Sequence, residues 1–144
     1  MRRLSFKLTS ALTLCLSVLL SGCQDLTQAP KDAEQLNTEL HAAMTRGDLK
    51  NIYADADAEL KALATEEKFV SLLTAIHKKL GDPVSSKQAG CNLNATTSGT
   101  YLRTECDTTF SKSATGKEAI VWRKAGGKYR LAGYHINSDE LISR

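Results

Sequence analysis

The chain lacks the sequence motifs by which most enzyme classes are recognised. Its 144 residues contain no GxSxG, P-loop or HExxH motif and no paired-carboxylate motif. The four cysteines form no CxxC pair, and the three histidines add too few ligands at any usual spacing for a zinc or iron–sulfur site. We therefore expect no enzymatic activity, no metal and no other cofactor.

Long hydrophobic runs are also missing. The most apolar stretch, Leu8–Leu20, is too short to span a bilayer comfortably, because a membrane helix needs about 20 apolar residues. It follows Arg2, Arg3 and Lys7, and a short apolar stretch after a positively charged segment is typical of an export signal. The start of the chain therefore predicts export.

The residues that end this stretch, Leu20-Ser21-Gly22-Cys23, resemble the lipobox of bacterial lipoproteins. The resemblance implies cleavage before Cys23, a diacylglyceryl thioether on its sulfur and a third acyl chain on the freed amine. Two lipid signals already hold a protein firmly, so three chains would anchor it permanently. Gln24 stands where inner-membrane lipoproteins tend to carry aspartate, which implies the outer membrane, facing the periplasm. The alternatives are an ordinary cleaved signal and a retained membrane helix.

This assignment divides the chain into a cleaved signal peptide at 1–22, a lipidated N-terminus and tether at 23–31, and a single domain at 32–144. Three of the 19 Lys and Arg residues leave with the signal, so 16 basic residues face 16 acidic ones in the mature chain. A net charge near zero gives no reason to expect a nucleic-acid partner. The expected partners are the membrane, through the lipid, and an unidentified envelope protein.

Hydrophobic periodicity predicts helices in the first half of the domain. The first spans Asp32–Thr45, and the second begins after Asp48 and carries apolar residues as far as Leu63. The third begins after its cap at Thr65 and is terminated by Gly81, with acidic residues at its start and basic ones at its end. Its apolar stripe is expected in the core and comprises Phe69, Leu72, Leu73, Ile76 and Leu80.

In the second half the period becomes that of strands. Ser98-Gly99 is a two-residue hairpin turn, and pairing Thr97 with Thr100 places Cys91 opposite Cys106. We infer a disulfide between these cysteines, since an even pair in an exported domain suits an oxidising compartment. This register puts the pair at the wider, hydrogen-bonded spacing, so a bulge or a one-residue slip stays open. Two free buried thiols are the other alternative.

Two further strands, Glu118–Lys124 and Lys128–Asn137, are joined by Ala125-Gly126-Gly127, another hairpin signal. The order of the elements predicts an α+β fold. In it, two to three N-terminal helices pack on a four-stranded antiparallel meander sheet.

Three segments carry a family resemblance: HKKLGDP at 77–83, GTYLRTECDTTF at 99–110 and EAIVWRKAGGKYRLAGYHI at 118–136. Together they resemble small exported bacterial domains of unknown function, the type numbered 4019, which have a cystatin-like fold. In that family a helix ends in Leu-Gly and the last strand carries Gly-Tyr, which correspond here to Leu80-Gly81 and Gly133-Tyr134. This chain differs by its two cysteines and by lacking an arginine soon after the Leu-Gly. The resemblance implies a fold and no reaction.

The basic residues of the last hairpin are the candidate interaction residues: Arg123, Lys124, Lys128 and Arg130. They are placed to meet an acidic partner or lipid headgroups. Alternatively, they are solvated residues that guard a sheet against aggregation. We expect a non-catalytic protein-interaction module that uses a sheet edge or this hairpin. The alternative function is a small-ligand carrier or sensor with a pocket between helix and curved sheet.

The histidines and aromatic residues indicate no sharper function. His77 and His135 are the candidates for an acid–base site in such a pocket, although surface positions explain both more simply, and His41 offers nothing sharper. Core and sheet packing explains the remaining aromatic candidates: Tyr101, Trp122, Tyr129 and Tyr134.

Overall fold

The computed structural model describes residues 22–112 and 114–142, with the backbone alone for residues 22–26. The signal peptide predicted at 1–22 lies outside the described residues except for Gly22, and the side chain of Cys23 lies outside them too. The elements are α1 Gly22–Arg46, α2 Leu49–Asp55, α3 Ala58–Leu63, α4 Glu66–Leu80, β1 Pro83–Thr96, β2 Gly99–Phe110, β3 Thr115–Ala125, β4 Lys128–Asn137 and α5 Asp139–Ile142. The helices pack on an antiparallel sheet of strand order β1-β2-β3-β4, which confirms the predicted α+β class.

The first helix begins ten residues before the position expected from the sequence. It starts at Gly22 rather than Asp32, so the expected tether is helical. Ala29 and Ala33 are buried and extend the inward-facing stripe towards the start of the helix. Pro30 lies inside the helix, where it donates no backbone hydrogen bond. Burial of the two alanines therefore outweighs the proline that made this segment resemble a linker.

The predicted second helix is divided into α2 and α3. Asp57, between them, is buried and accepts a hydrogen bond from the backbone N–H of Glu59, so it caps α3. The backbone N–H of Asp57 donates to the carbonyl of Leu131 at 2.9 Å, which ties this break to β4. A cap residue inside an apolar pattern thus ends one helix and starts another.

The fourth helix has the caps predicted for it. The hydroxyl of Thr65 accepts from the backbone N–H of Lys68, and Gly81 ends the helix with a φ of 88°. The predicted stripe is buried except for Leu72, which is 45% exposed. Among the described residues, no helix is both long enough and apolar enough to cross a membrane.

The β1–β2 hairpin turns one residue earlier than predicted. Thr96 pairs with Gly99, so the turn residues are Thr97-Ser98 and not Ser98-Gly99. The Thr96 hydroxyl accepts from the backbone N–H of Ser98 at 3.2 Å and donates to the carbonyl of Gly99 at 3.0 Å. These local hydrogen bonds favour the observed turn.

The shifted turn separates the two cysteines that the sequence register places opposite each other. Cys91 lies opposite Thr104, and Cys106 lies opposite Gln88, beyond a bulge at Ala89. Both cysteines are free thiols, Cys91 exposed and Cys106 buried. The predicted register is wrong, and the structure does not contain the disulfide inferred from it.

The core lies between the helices and one face of the sheet. Its largest fully buried apolar side chains are Leu73, Ile76, Leu80, Leu102, Phe110 and Ile120. The alternate residues of β2, which point to the other face, are exposed. The second hairpin turns at Gly126-Gly127, where both φ angles are positive, as the glycine pair predicts.

Candidate functional site

A cluster of polar side chains is buried between α1 and the sheet. Its centre is Glu118 on β3, which is 2% exposed. One carboxylate oxygen accepts from His41 Nε2 at 2.9 Å and from the hydroxyl of Thr108. The other accepts from the hydroxyl of Tyr134 at 2.6 Å. Three elements of the fold therefore hold one carboxylate.

These contacts keep the carboxylate ionised. Burial acts to raise the pKa of Glu118, but the hydrogen bond and charge of His41 and the hydroxyls of Thr108 and Tyr134 bring that pKa below its ordinary value. Burial, followed by the negative charge of Glu118, raises the pKa of Tyr134 well above its ordinary value. The cluster thus holds a carboxylate beside a phenol that stays protonated.

A second part of the cluster is centred on Asn37, one helical turn before His41. The Asn37 carbonyl oxygen accepts from the indole N–H of Trp122 at 2.9 Å. Its amide nitrogen donates to the hydroxyl of Thr104 at 3.0 Å and to the sulfur of Cys106 at 3.4 Å. Burial raises the pKa of the Cys106 thiol, which therefore stays protonated and is a poor nucleophile.

Local structure explains how these residues meet. Asn37 and His41 are four residues apart and so share one face of α1. Glu118 and Trp122 lie in the inward phase of β3, where alternate side chains point the same way. Sequence reasoning missed the cluster and gave His41 no role. The available signal was Glu118, an acidic residue in the inward phase of β3, between Gly116 and Ile120.

His41 also reaches the surface, at the floor of an open groove of about 490 Å³ between α1 and the start of β1. Its side chain is 11% exposed. Nε2 bonds Glu118, and Nδ1 makes no hydrogen bond to another described residue. The groove is lined by Thr38, His41, Ala42, Thr45, Arg46, Pro83, Val84, Ser85 and Ser86.

Two of the predicted interaction residues make contacts within the fold. Arg123 donates through Nη1 to a carboxylate oxygen of Asp57 at 3.0 Å and through Nε to the carbonyl of Ser98 at 3.1 Å. Arg130 donates to the carbonyl of Asp55 at 3.2 Å. The two arginines therefore fasten the sheet to the segment around α3, and their assignment as partner-binding residues stays a prediction.

The two lysines of that hairpin differ in their exposure. The Lys124 ammonium lies 5.4 Å from the centre of the Tyr129 ring. Lys128 is exposed at the turn. Of the other candidates, His135 is exposed, and the exposed His77 lies 3.2 Å from a carboxylate oxygen of Asp82.

Apolar side chains fill the interior between α4 and the sheet, and an open pocket of about 200 Å³ lies between α1, α2 and the last two strands. Leu73 and Ile76 of α4 and Leu102 and Ile120 of the sheet are each at most 1% exposed and belong to one apolar core. Among the side chains that the structure describes, no three histidine, cysteine or acidic residues are grouped so that they would hold a metal ion.

The edge strand β1 has an unusual distribution of charge. No residue between Lys87 and Arg103 is charged. This uncharged segment includes Gly90–Thr96, whose register with β2 is regular, whereas both bulges of β1 lie before it. Within the described part of the chain, β1 pairs with β2 alone, so its outer edge is free.

Comparison with known proteins identifies one family. The family described as "Protein of unknown function (DUF4019)" matches residues 37–134. The matched segment runs from Asn37 to Tyr134 and contains every residue of the buried polar cluster. No curated protein matches the chain.

Proposed function

Because the chain belongs to the DUF4019 family, whose description assigns no activity, we propose a function from its own residues. The protein is a lipid-anchored envelope protein whose domain is a non-catalytic protein-interaction module. The observation that carries the interaction role is the uncharged free edge of β1 at Gly90–Thr96. The helices on an antiparallel meander also support assigning a cystatin-like fold.

The proposed anchor is Cys23, the last residue of the lipobox-like segment, and Gln24 supports the outer membrane, facing the periplasm. Helix α1 already includes Cys23. From Cys23 to Ala29, the first buried residue among the described side chains, a rise of 1.5 Å per residue gives about 9 Å. A helical connection of this length would hold the domain close to the headgroups.

The proposed docking site is the second half of β1. Exposed edge strands are usually protected by charges, proline or bulges, because their free backbone groups pair readily with other strands. The first half of β1 has all three, with Pro83, Lys87 and bulges at Val84 and Ala89. The second half has none of them, which suits an edge that a partner covers.

The proposed occupant is an extended, uncharged segment of another envelope protein, added as a fifth strand. Backbone hydrogen bonds supply affinity in this mode, and alternate side chains supply specificity. Asn92 and Asn94 are exposed on alternate positions of the edge and offer amide groups to such a segment. A charged segment would lose hydration there without meeting an opposite charge.

Two further observations support this choice over the alternatives. Core side chains, and not a ligand cavity, occupy the described interior between α4 and the sheet. The arginines of the last hairpin are occupied by Asp57 and by backbone carbonyls. An interface at the edge of β1 needs neither an interior cavity nor arginines that are available to a partner.

The test is crosslinked capture from native envelopes, with the full chain carrying Asn92→Lys and Asn94→Lys. Two lysines on the edge should abolish capture of a specific envelope protein. The control carries Asn51→Lys and Thr109→Lys, which add the same charge at exposed positions outside β1, and it should capture that protein like the wild type. Equal capture by both variants would contradict the proposed edge. Capture of only a second copy of the chain would show a dimer interface and contradict the envelope partner.

A further inference from the structure

We infer that the groove between α1 and the start of β1 binds a small amphiphile, with a carboxylate or phosphate headgroup on an apolar chain, over the exposed edge of His41. This site is separate from the docking edge, which lies further along β1. The inference rests on the fixed imidazole, the donors around it and the apolar wall beside it.

The imidazole is held in one orientation before any ligand arrives. Its Nε2 lies 2.9 Å from the carboxylate of Glu118, whose side chain has no exposed surface. That carboxylate is itself held by Thr108 and Tyr134. Nδ1, which has no partner among the described residues, is the remaining polar atom of the ring. A ring held in this way loses little conformational freedom when it binds a ligand.

The polar lining of the groove favours an anion. No acidic side chain lines it, and Arg46 is its one permanently charged lining residue. Arg46 donates through Nε to Asp48 at 3.0 Å, and its two terminal nitrogens contact no other described residue within hydrogen-bond distance. Thr45 and Ser85 add hydroxyl donors. An anion in the groove would lie beside the exposed edge of His41, whose Nε2 stays on Glu118.

The apolar wall favours a ligand with a short chain. Val84 is the extra residue at the first bulge of β1 and is 67% exposed. Bulges redirect a side chain out of the regular alternation of a strand. With Pro83 and Ala42 it forms an apolar side to the groove, and the volume of about 490 Å³ suits a small molecule.

The test uses the mature lipidated chain in phosphatidylcholine nanodiscs, with the NMR signals of the His41 ring as the readout. The probes are hexanoate and hexyl phosphate. Hexanol controls for the chain without charge, and acetate and inorganic phosphate control for the charge without chain. Hexanoate, hexyl phosphate or both should give saturable shifts. The dissociation constant of the effective probe should be at least about tenfold lower than that of hexanol and than that of acetate or phosphate, the matching anion without a chain. The more effective headgroup identifies the source of the ligand.

Surface variants keep the test independent of folding. Arg46→Gln should weaken the effective probe about tenfold through loss of a charged donor, and Val84→Ser should weaken it by reducing apolar contact. The matched control is Arg103→Gln, an exposed arginine on the other face of the sheet, which should bind like the wild type. Equal binding of hexanol, or of acetate and phosphate, would overturn the inference. So would the absence of any saturable shift, or unchanged affinity in Arg46→Gln.

Discussion

His41 and Glu118 lie 77 residues apart in sequence, and their side chains meet at 2.9 Å between Nε2 and Oε2. The contact joins α1 to β3 at a point where Glu118 has no exposed side-chain surface. Asn37 and Trp122 make a parallel connection one helical turn away. The helix that carries the proposed anchor at its start is thus attached to the sheet by buried polar contacts as well as by apolar packing.

Replacing the central carboxylate should reduce stability at neutral pH. Glu118→Gln keeps the shape but removes the charge that His41 and the two hydroxyls contact, so the free energy of unfolding should fall by about 2 kcal/mol. Urea unfolding at about pH 7 measures the change. The exposed Glu105→Gln is the control and should stay within about 0.5 kcal/mol of the wild type.

The same carboxylate should make stability depend on pH. Because the pKa of Glu118 in the fold lies below its ordinary value, its contribution is present above the unfolded pKa of about 4.3 and is lost as the pH falls through the folded pKa. The wild type should therefore lose more stability than Glu118→Gln between about pH 5 and pH 2. An equal loss in both proteins would contradict an ionised, hydrogen-bonded Glu118.

Arg123 should matter to stability more than the lysine of the same hairpin. Arg123→Ala leaves Asp57, which is 3% exposed, without its charged partner, and should lower the free energy of unfolding by about 2 kcal/mol. Lys128→Ala, at the exposed turn, should stay within about 0.5 kcal/mol of the wild type. Thermal or urea unfolding distinguishes the two variants. Equal effects would contradict a stabilising contact between Arg123 and Asp57.

The two cysteines should differ in reactivity. Cys91 is exposed and Cys106 is buried, so maleimide should label Cys91 and not Cys106 in the native purified domain, without prior reduction. Burial raises the pKa of both thiols, and labelling at about pH 8 increases the thiolate fraction. Peptide mass spectrometry locates the label. Protection of both cysteines until a reductant is added would support the disulfide that the structure does not contain.

Removing the proposed lipidation residue should release the protein from the membrane. Cys23→Ala eliminates the thiol that would form the thioether, so incorporation of labelled palmitate should be lost and the domain should appear in the soluble fraction. Cys91→Ala is the matched control and should keep both the label and the membrane fraction. Continued labelling of Cys23→Ala would contradict the proposed anchor.

The parts of the fold that sequence reasoning predicted well depend on local chemistry. The bounds of α4 follow from Thr65 and Gly81, which act within one turn of the helix. The sequence predicts the first hairpin one residue late, because Ser98-Gly99 is a turn signal but Thr96 completes a neighbouring turn with its own hydroxyl. The early start of α1 depends on the burial of Ala29 and Ala33 against distant parts of the chain, which outweighed the local effect of Pro30.

The buried cluster was harder to predict, because its contacts are almost all between distant residues. Nothing in the sequence around His41 indicates that it faces a carboxylate 77 residues away. The contact between Arg123 and Asp57 is hard to predict for the same reason, since Asp57 belongs to the break between α2 and α3. The one sequence signal for the cluster is Glu118, an acidic residue at an inward position of a strand.

Site-specific photo-crosslinking in host cells tests the docking edge most directly. A photoreactive side chain replaces Asn92 on β1 or, as the control, Thr109 on the neighbouring strand β2, in the full chain. The account predicts an adduct with one envelope protein from position 92 and none from position 109. Equal adducts from both positions, or no adduct from position 92, would contradict it.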